Sequence, residues 1–132
     1  MDGTPDADRS LDVRISLSGD DPEDQLADLL EWINDDATLR DQTRPLIDEP
    51  QPGELSGGTL QALESAVASK ELLVALISSA AGWLTARVTG RRVKIQVKRG
   101  DSEVSLEADA KQLVRADDVV DSILHRLDAR DE

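Results

Sequence analysis

Residues 92–109 constrain this chain more than any other stretch, because one hairpin register makes every facing pair agree. A two-residue turn centred on Gly100-Asp101 sets Lys98 against Glu103, Lys94 against Glu107 and Arg92 against Asp109 on one face. On the other face Val97 meets Val104, Ile95 meets Leu106 and Val93 meets Ala108. Strand side chains alternate between faces with a period of two, so a slip by one residue drives the charges into the core. The pattern predicts a hairpin with one charged face in water and one apolar face covered by other elements.

The rest of the chain divides by the same rules. Leu11, Val13, Ile15 and Leu17 alternate with Asp12, Arg14 and Ser16, which predicts a strand buried on one face. After Gly19-Asp20-Asp21-Pro22, the spacing of Leu26, Leu29, Leu30 and Ile33 predicts an amphipathic helix, with Asp21 as its cap and Asp24, Asp28, Glu31 and Asp35 facing water. Asp36 is placed to cap a further short turn through Leu39, and Pro45, Pro50, Pro52 and Gly53 then predict an irregular stretch. Leu60, Leu63 and Val67, at i, i+3, i+7, predict a short helix. Residues 72–86 carry no charge and predict a helix, with Ser69 as a candidate cap and Glu71 and Arg87 suiting the dipole at its two ends. Val120, Ile123, Leu124 and Leu127 predict a last helix, capped near Asp117 or Asp118.

The resulting order, β-α-α-α-β-β-α, predicts an α+β two-layer sandwich: a small three-stranded sheet with helices on one face. Residues 11–128 form the single domain in this reading, with a disordered acidic tail at 1–10 and a short tail at 129–132.

Composition narrows the function. The chain of 132 residues has no cysteine, which removes disulfides, thiolate metal sites and thiol nucleophiles and fits a reducing, cytoplasmic setting. The first ten residues carry four charges and no apolar run, unlike a secretory leader. The net charge is −13, and residues 1–54 hold 16 acidic against 4 basic side chains. Such a surface repels phosphate backbones, so nucleic acid is not an expected partner, whereas a basic protein surface is. Trp32 and Trp83 are the only aromatic residues, too few for a base-stacking platform.

Among the candidate sites, the uncharged segment 72–86 stands out, because Ser78, Gly82 and Ala86 place a small residue at every fourth position and allow a second helix close approach. Burial of that helix inside the domain explains the same pattern. A membrane span does not, since fifteen residues at about 1.5 Å each reach roughly 22 Å, short of a hydrocarbon core about 30 Å thick. The basic run Arg87, Arg91, Arg92, Lys94, Lys98 and Arg99 is partly accounted for by the hairpin pairs, which leaves Arg87, Arg91 and Arg99 as the candidates for contacts outside the domain or for anionic headgroups. Asp20, Asp21, Glu23 and Asp24 lack the spacing of a calcium loop, and the single histidine, His125, has only Asp121 one turn away. These residues assemble neither a catalytic apparatus nor a cofactor motif, and no metal, cofactor or enzymatic activity is expected.

Several segments, taken in order, carry a resemblance: D-P-E-D-Q-L at 21–26, E-W-I at 31–33, P-G-E-L at 52–55, W-L-T-A-R at 83–87 and V-K-I-Q-V at 93–97. Over Leu11 to Leu127 the chain resembles the bacterial effector-associated constant component family. The resemblance implies a small non-enzymatic component found with, or fused to, effector domains such as caspase-like or trypsin-like proteases in NTPase-regulated conflict systems, here with the effector recruited in trans. The expectation is an adaptor that docks an effector protease or its NTPase regulator through helix 72–86 or an exposed strand edge. Ser78, Gly82, Trp83, Arg87 and Arg91 are its partner-binding candidates, with self-association through the same helix a further expectation. The alternative is a peripheral membrane module using helix 72–86 and the basic run.

Overall fold

The first strand alternates as its residues demand: in β1, Leu11–Leu17, the four apolar side chains are buried while Asp12 and Arg14 are exposed. The computed structural model describes residues 11–17, 22–48, 59–87 and 91–131. Helix α1 (Pro22–Asn34), strands β2 (Thr43–Asp48) and β3 (Thr59–Val67) and helix α2 (Lys70–Arg87) follow β1. The hairpin β4 (Val93–Arg99) and β5 (Ser102–Ala108) comes next, and helices α3 (Ala110–Leu113) and α4 (Ala116–Asp131) close the described chain.

The strands form one antiparallel sheet of five, in the order β2-β3-β1-β4-β5. The expected three-stranded sheet and the order β-α-α-α-β-β-α are therefore corrected to five strands and β-α-β-β-α-β-β-α-α among the described residues. Two segments account for the difference. Residues 59–67 show helical spacing only because their two-residue alternation is disguised. Leu63, Ser65 and Val67 all point inward, and a serine in the middle reads as solvent. Its hydroxyl is satisfied on the spot, accepting from Thr43 Oγ1 at 3.1 Å and donating to the Gln42 carbonyl at 3.2 Å. A bulge adds a second disguise: Ala62 pairs with Leu46 but Leu60 pairs with Ile47, so Gln61 is an extra residue that breaks the period. Strand β2 escapes notice because of Pro45, which an edge strand tolerates because its missing N–H costs no ladder bond when it faces outward.

The hairpin follows the sequence register from Val93↔Ala108 to Arg99↔Ser102. Gly100 takes a left-handed φ of 61° while Asp101 does not, as a type II′ turn requires. Arg92 and Asp109 lie beyond the ladder. Asp109 instead caps α3, accepting from the Gln112 N–H at 3.0 Å while the Gln112 side chain accepts from the Asp109 N–H at 3.0 Å. Helix α4 starts at Ala116, which puts Asp117 and Asp118 in its first turn, and it runs on through the expected 129–132 tail as far as Asp131. The acidic tail 1–10, the Asp21 cap and the Pro50, Pro52 and Gly53 part of the expected irregular stretch lie outside the described residues.

One apolar cluster joins the inner sheet face to the helices. Helix α2 is its axis. Ser69 caps it, accepting from the Leu72 N–H at 3.2 Å, and Leu73, Leu76, Ile77, Ala80, Ala81, Trp83 and Leu84 are buried around its circumference. Trp83 is fully buried, and its indole N–H donates to Asp28 Oδ2 at 2.8 Å. A buried indole needs such an acceptor. Asp28 thus turns toward α2 instead of lying on the water-facing stripe, and its other oxygen lies 3.7 Å from Arg87 Nη1. The Arg87 guanidinium sits 5.6 Å from the Trp32 ring centroid. Gly82 lies beneath the same ring, where a Cβ atom would meet Trp32 Cζ2 at 3.6 Å.

Two stability measurements follow. A single methyl fits beneath Trp32 at ordinary contact distance, so Gly82→Ala should stabilise the fold by up to ~1 kcal/mol through helix propensity. Gly82→Leu should cost ~1–3 kcal/mol by displacing the ring, both read from urea unfolding midpoints. Asp28→Ala leaves the buried indole donor without its acceptor and should cost ~1–3 kcal/mol, with Asp28→Asn recovering most of the loss.

Candidate interaction surface

The five residues expected to meet a partner do not form one patch. Trp83 belongs to the core, and Gly82 is partly covered by Trp32. Arg87 is half exposed and spans Trp32 and Asp28. Ser78 is exposed on α2, and Arg91 is partly buried just before β4. Part of the basic run is engaged within the chain. Lys94 and Lys98 stand opposite Glu107 and Glu103, Arg99 pairs with Asp128 at 2.8 Å, and Arg91 and Arg92 are likewise engaged. Helix α2 turns Leu73, Leu76, Ile77, Trp83 and Leu84 into the core and leaves Leu72, Val74 and Ala75 partly buried. No described helix is long and apolar enough to cross a membrane.

Glu23 and Asp121, two of the other chemistry-bearing residues, serve the fold. Glu23 accepts the Leu60 N–H at 3.2 Å and ties α1 to β3. Asp121 pairs with Lys70 at 2.7 Å and holds that ammonium above its ordinary pKa, so the carboxylate beside His125 is directed to α2 rather than set up to orient the imidazole.

The outer sheet face is polar and carries one ordered charge relay. Glu64, on β3, lies directly opposite Arg14 on β1 and Arg44 on β2. Its two oxygens reach Arg44 Nη2 at 2.9 Å and Arg14 Nη2 at 3.5 Å. The hydrogen bond from Arg44 is the largest influence on the Glu64 carboxyl; burial opposes it, and with the hydrogen bond from Arg14 and the charge of both arginines added, the carboxyl is held below its ordinary 4.5.

The two sheet edges differ. At β2, Pro45 interrupts the row of outward backbone groups, and the bulge at Gln61 of β3 breaks the even pairing behind it beside Ile47, as at edges that resist pairing. Strand β5 has neither interruption. Counting from the hydrogen-bonded pair that flanks a two-residue turn, here Arg99↔Ser102, the N–H and C=O groups of Glu103, Ser105 and Glu107 point away from β4. Alongside runs a groove of about 510 Å³ floored by Leu106 and Val119, with Ser122 on its wall and Arg115 and Arg126 flanking it. A second hollow, lined by Glu103, Ser105, Arg126 and Ala129, continues along the same edge. Val114, 69% exposed, stands at the α3–α4 turn between the groove residues Gln112 and Arg115. Sequence reasoning named an exposed edge without locating it. The signal lies in Pro45, which marks the opposite edge but also makes that strand resemble an irregular stretch.

The Glu64 relay generates a pH dependence with a definite sign. A lowered folded pKa contributes stability above the unfolded value of 4.5, and that contribution disappears as pH falls through the lowered value. Glu64→Gln should therefore cost up to ~1 kcal/mol at pH 7 and progressively less below pH ~4.5. Paired urea titrations of the two proteins across pH 3–7 check it.

Comparison with curated proteins and with solved structures returns no match. A family model matches residues 18–128, from the end of β1 through most of α4, and so spans all but the first strand of the sheet just described. By that match the chain belongs to the Effector Associated Constant Component 1 family.

Proposed function

We propose that this chain is a non-catalytic, cytoplasmic docking component that holds an effector protein, such as a protease, or the effector's regulator in a bacterial conflict system. Membership of a family named for association with effectors supports a protein partner in general. The observation that carries the finer reading is the asymmetry of the sheet: one edge is blunted by Pro45 and a bulge, while the other is a straight strand beside an open groove. A domain that worked alone would gain from blunting both. Docking asks no catalytic chemistry of the groove, whose polar lining mixes Glu107 and Asp118 with Arg115, Arg126, Gln112 and Ser122. Protein contact by main-chain pairing needs no such chemistry.

Affinity capture of the tagged full chain from native lysate of a bacterium that carries it, with bound proteins identified by mass spectrometry, tests the reading. The expected result is an effector, such as a protease, or an NTPase enriched at least tenfold over an unrelated acidic protein of similar size. Enrichment of neither, with the chain eluting as a lone monomer, contradicts it.

A further inference from the structure

We infer that the β5 edge takes an extended basic segment of the effector partner as a sixth strand, with cationic side chains opposite Glu103 and Glu107 and apolar side chains in the groove beside α4. This deepens the docking reading above and rests on it.

The backbone supplies the first half of the argument. Glu103, Ser105 and Glu107 direct their N–H and C=O groups away from β4, and a segment lying along them completes a ladder with no rearrangement of the sheet. The side chains supply the second half. Residues Glu103 and Glu107 are four apart on the outer face, with Ser105 between them. An incoming strand therefore meets them with positions p and p+4. The sheet already shows how it satisfies a glutamate between two strands: Glu64 is flanked by Arg14 on one neighbour and Arg44 on the other. Glu103 and Glu107 have Lys98 and Lys94 opposite them on β4 alone, and a basic residue on a sixth strand reproduces the Arg–Glu–Arg arrangement.

The inner face sets the other half of the pattern. Positions p+1 and p+3 fall over the groove, where Leu106 and Val119 are partly exposed. The groove lining balances Arg115 and Arg126 against Glu107 and Asp118 and offers a cation no net charge, whereas the outer face sets Glu103 and Glu107 in line; the register follows from that contrast. The segment recognised has the form basic-apolar-polar-apolar-basic.

A second copy of the chain does not fit the same edge. Antiparallel self-pairing centred on Ser105 puts Glu103 against Glu107 of the other copy twice over, and a shift centred on Leu106 puts Glu103 against Asp109. Like charges directly opposite destabilise a strand pair. The chain's net charge of −13 adds repulsion between copies and attraction for a basic segment.

Fluorescence anisotropy with the full chain and two labelled peptides, one containing Lys-Val-Thr-Val-Lys and one Glu-Val-Thr-Val-Glu, tests the inference. The lysine peptide should bind at least about tenfold tighter, by an amount that shrinks as salt is raised. Double charge reversal, Glu103→Lys with Glu107→Lys, should invert the preference. Ser105→Pro removes an outward N–H without touching the β4 ladder, so it should abolish binding of either peptide while the thermal midpoint stays within a few degrees. Equal binding of the two peptides, binding of neither, or binding that survives Ser105→Pro overturns the inference. So does concentration-dependent dimerisation that Ser105→Pro removes, which would assign the edge to a second copy. Affinity capture with the Ser105→Pro chain separates the two levels. Retention of an effector would leave the docking reading standing and discard the β5 edge, whereas absence of any effector with the unaltered chain discards the broader reading.

Discussion

Helix α2 is the constraint on which the rest of the structure depends. A helix of eighteen residues, apolar around most of its circumference, must be covered on several sides at once. The sheet covers one side, α1 a second, and α3 and α4 a third, which leaves Ser78, Thr85 and Ala86 exposed. That arrangement places the helices over one sheet face and leaves the outer face to charged pairs. It also accounts for a small residue on the helix. Gly82 allows the Trp32 ring to lie close, and the ring in turn seats Arg87 above Asp28. One of the three small residues is thus used by a neighbour in the same chain, while Ser78 and Ala86 stay exposed.

Once α2 is committed to the core, the surface features that remain are polar or lie at the sheet's edges. The two edges are not equivalent, and the difference is written in single residues. Pro45 removes a main-chain donor from β2, and the Gln61 bulge bends its partner strand. On β5 the only protection is charge, in Glu103 and Glu107. Charge excludes copies of the same acidic strand while leaving the main-chain groups available, so it selects a partner where proline would exclude all of them. The salt links Arg99–Asp128 and Lys70–Asp121 tie α4 to β4 and α2, and α4 walls the groove.

Much of this was legible in the residue order, for reasons that vary by element. The hairpin is readable because charge and apolarity alternate in phase on both strands, and its ladder register follows pair by pair. Strands β2 and β3 were not readable, because the inward positions Thr43 and Ser65 are polar and satisfy each other, a fact that exists only after pairing. The contact between Asp28 and Trp83 spans 55 positions and places an acid from the apparent water-facing stripe against the core. Nothing local to either residue announces it. The burial of α2 is visible as one of two explanations for an uncharged segment, and the structure buries Leu73, Leu76, Ile77, Ala80, Ala81, Trp83 and Leu84 while leaving Ser78 and Ala86 exposed.

Amide hydrogen exchange followed by NMR tests the central claim, that α2 is committed to the core while the β5 edge is free. The account predicts that α2 amides from Leu73 to Leu84 exchange only through global unfolding, with one shared free energy, while Glu103, Ser105 and Glu107 exchange orders of magnitude faster. Rapid exchange of α2 through local opening, or strong protection of those three β5 amides in the isolated chain, would contradict it.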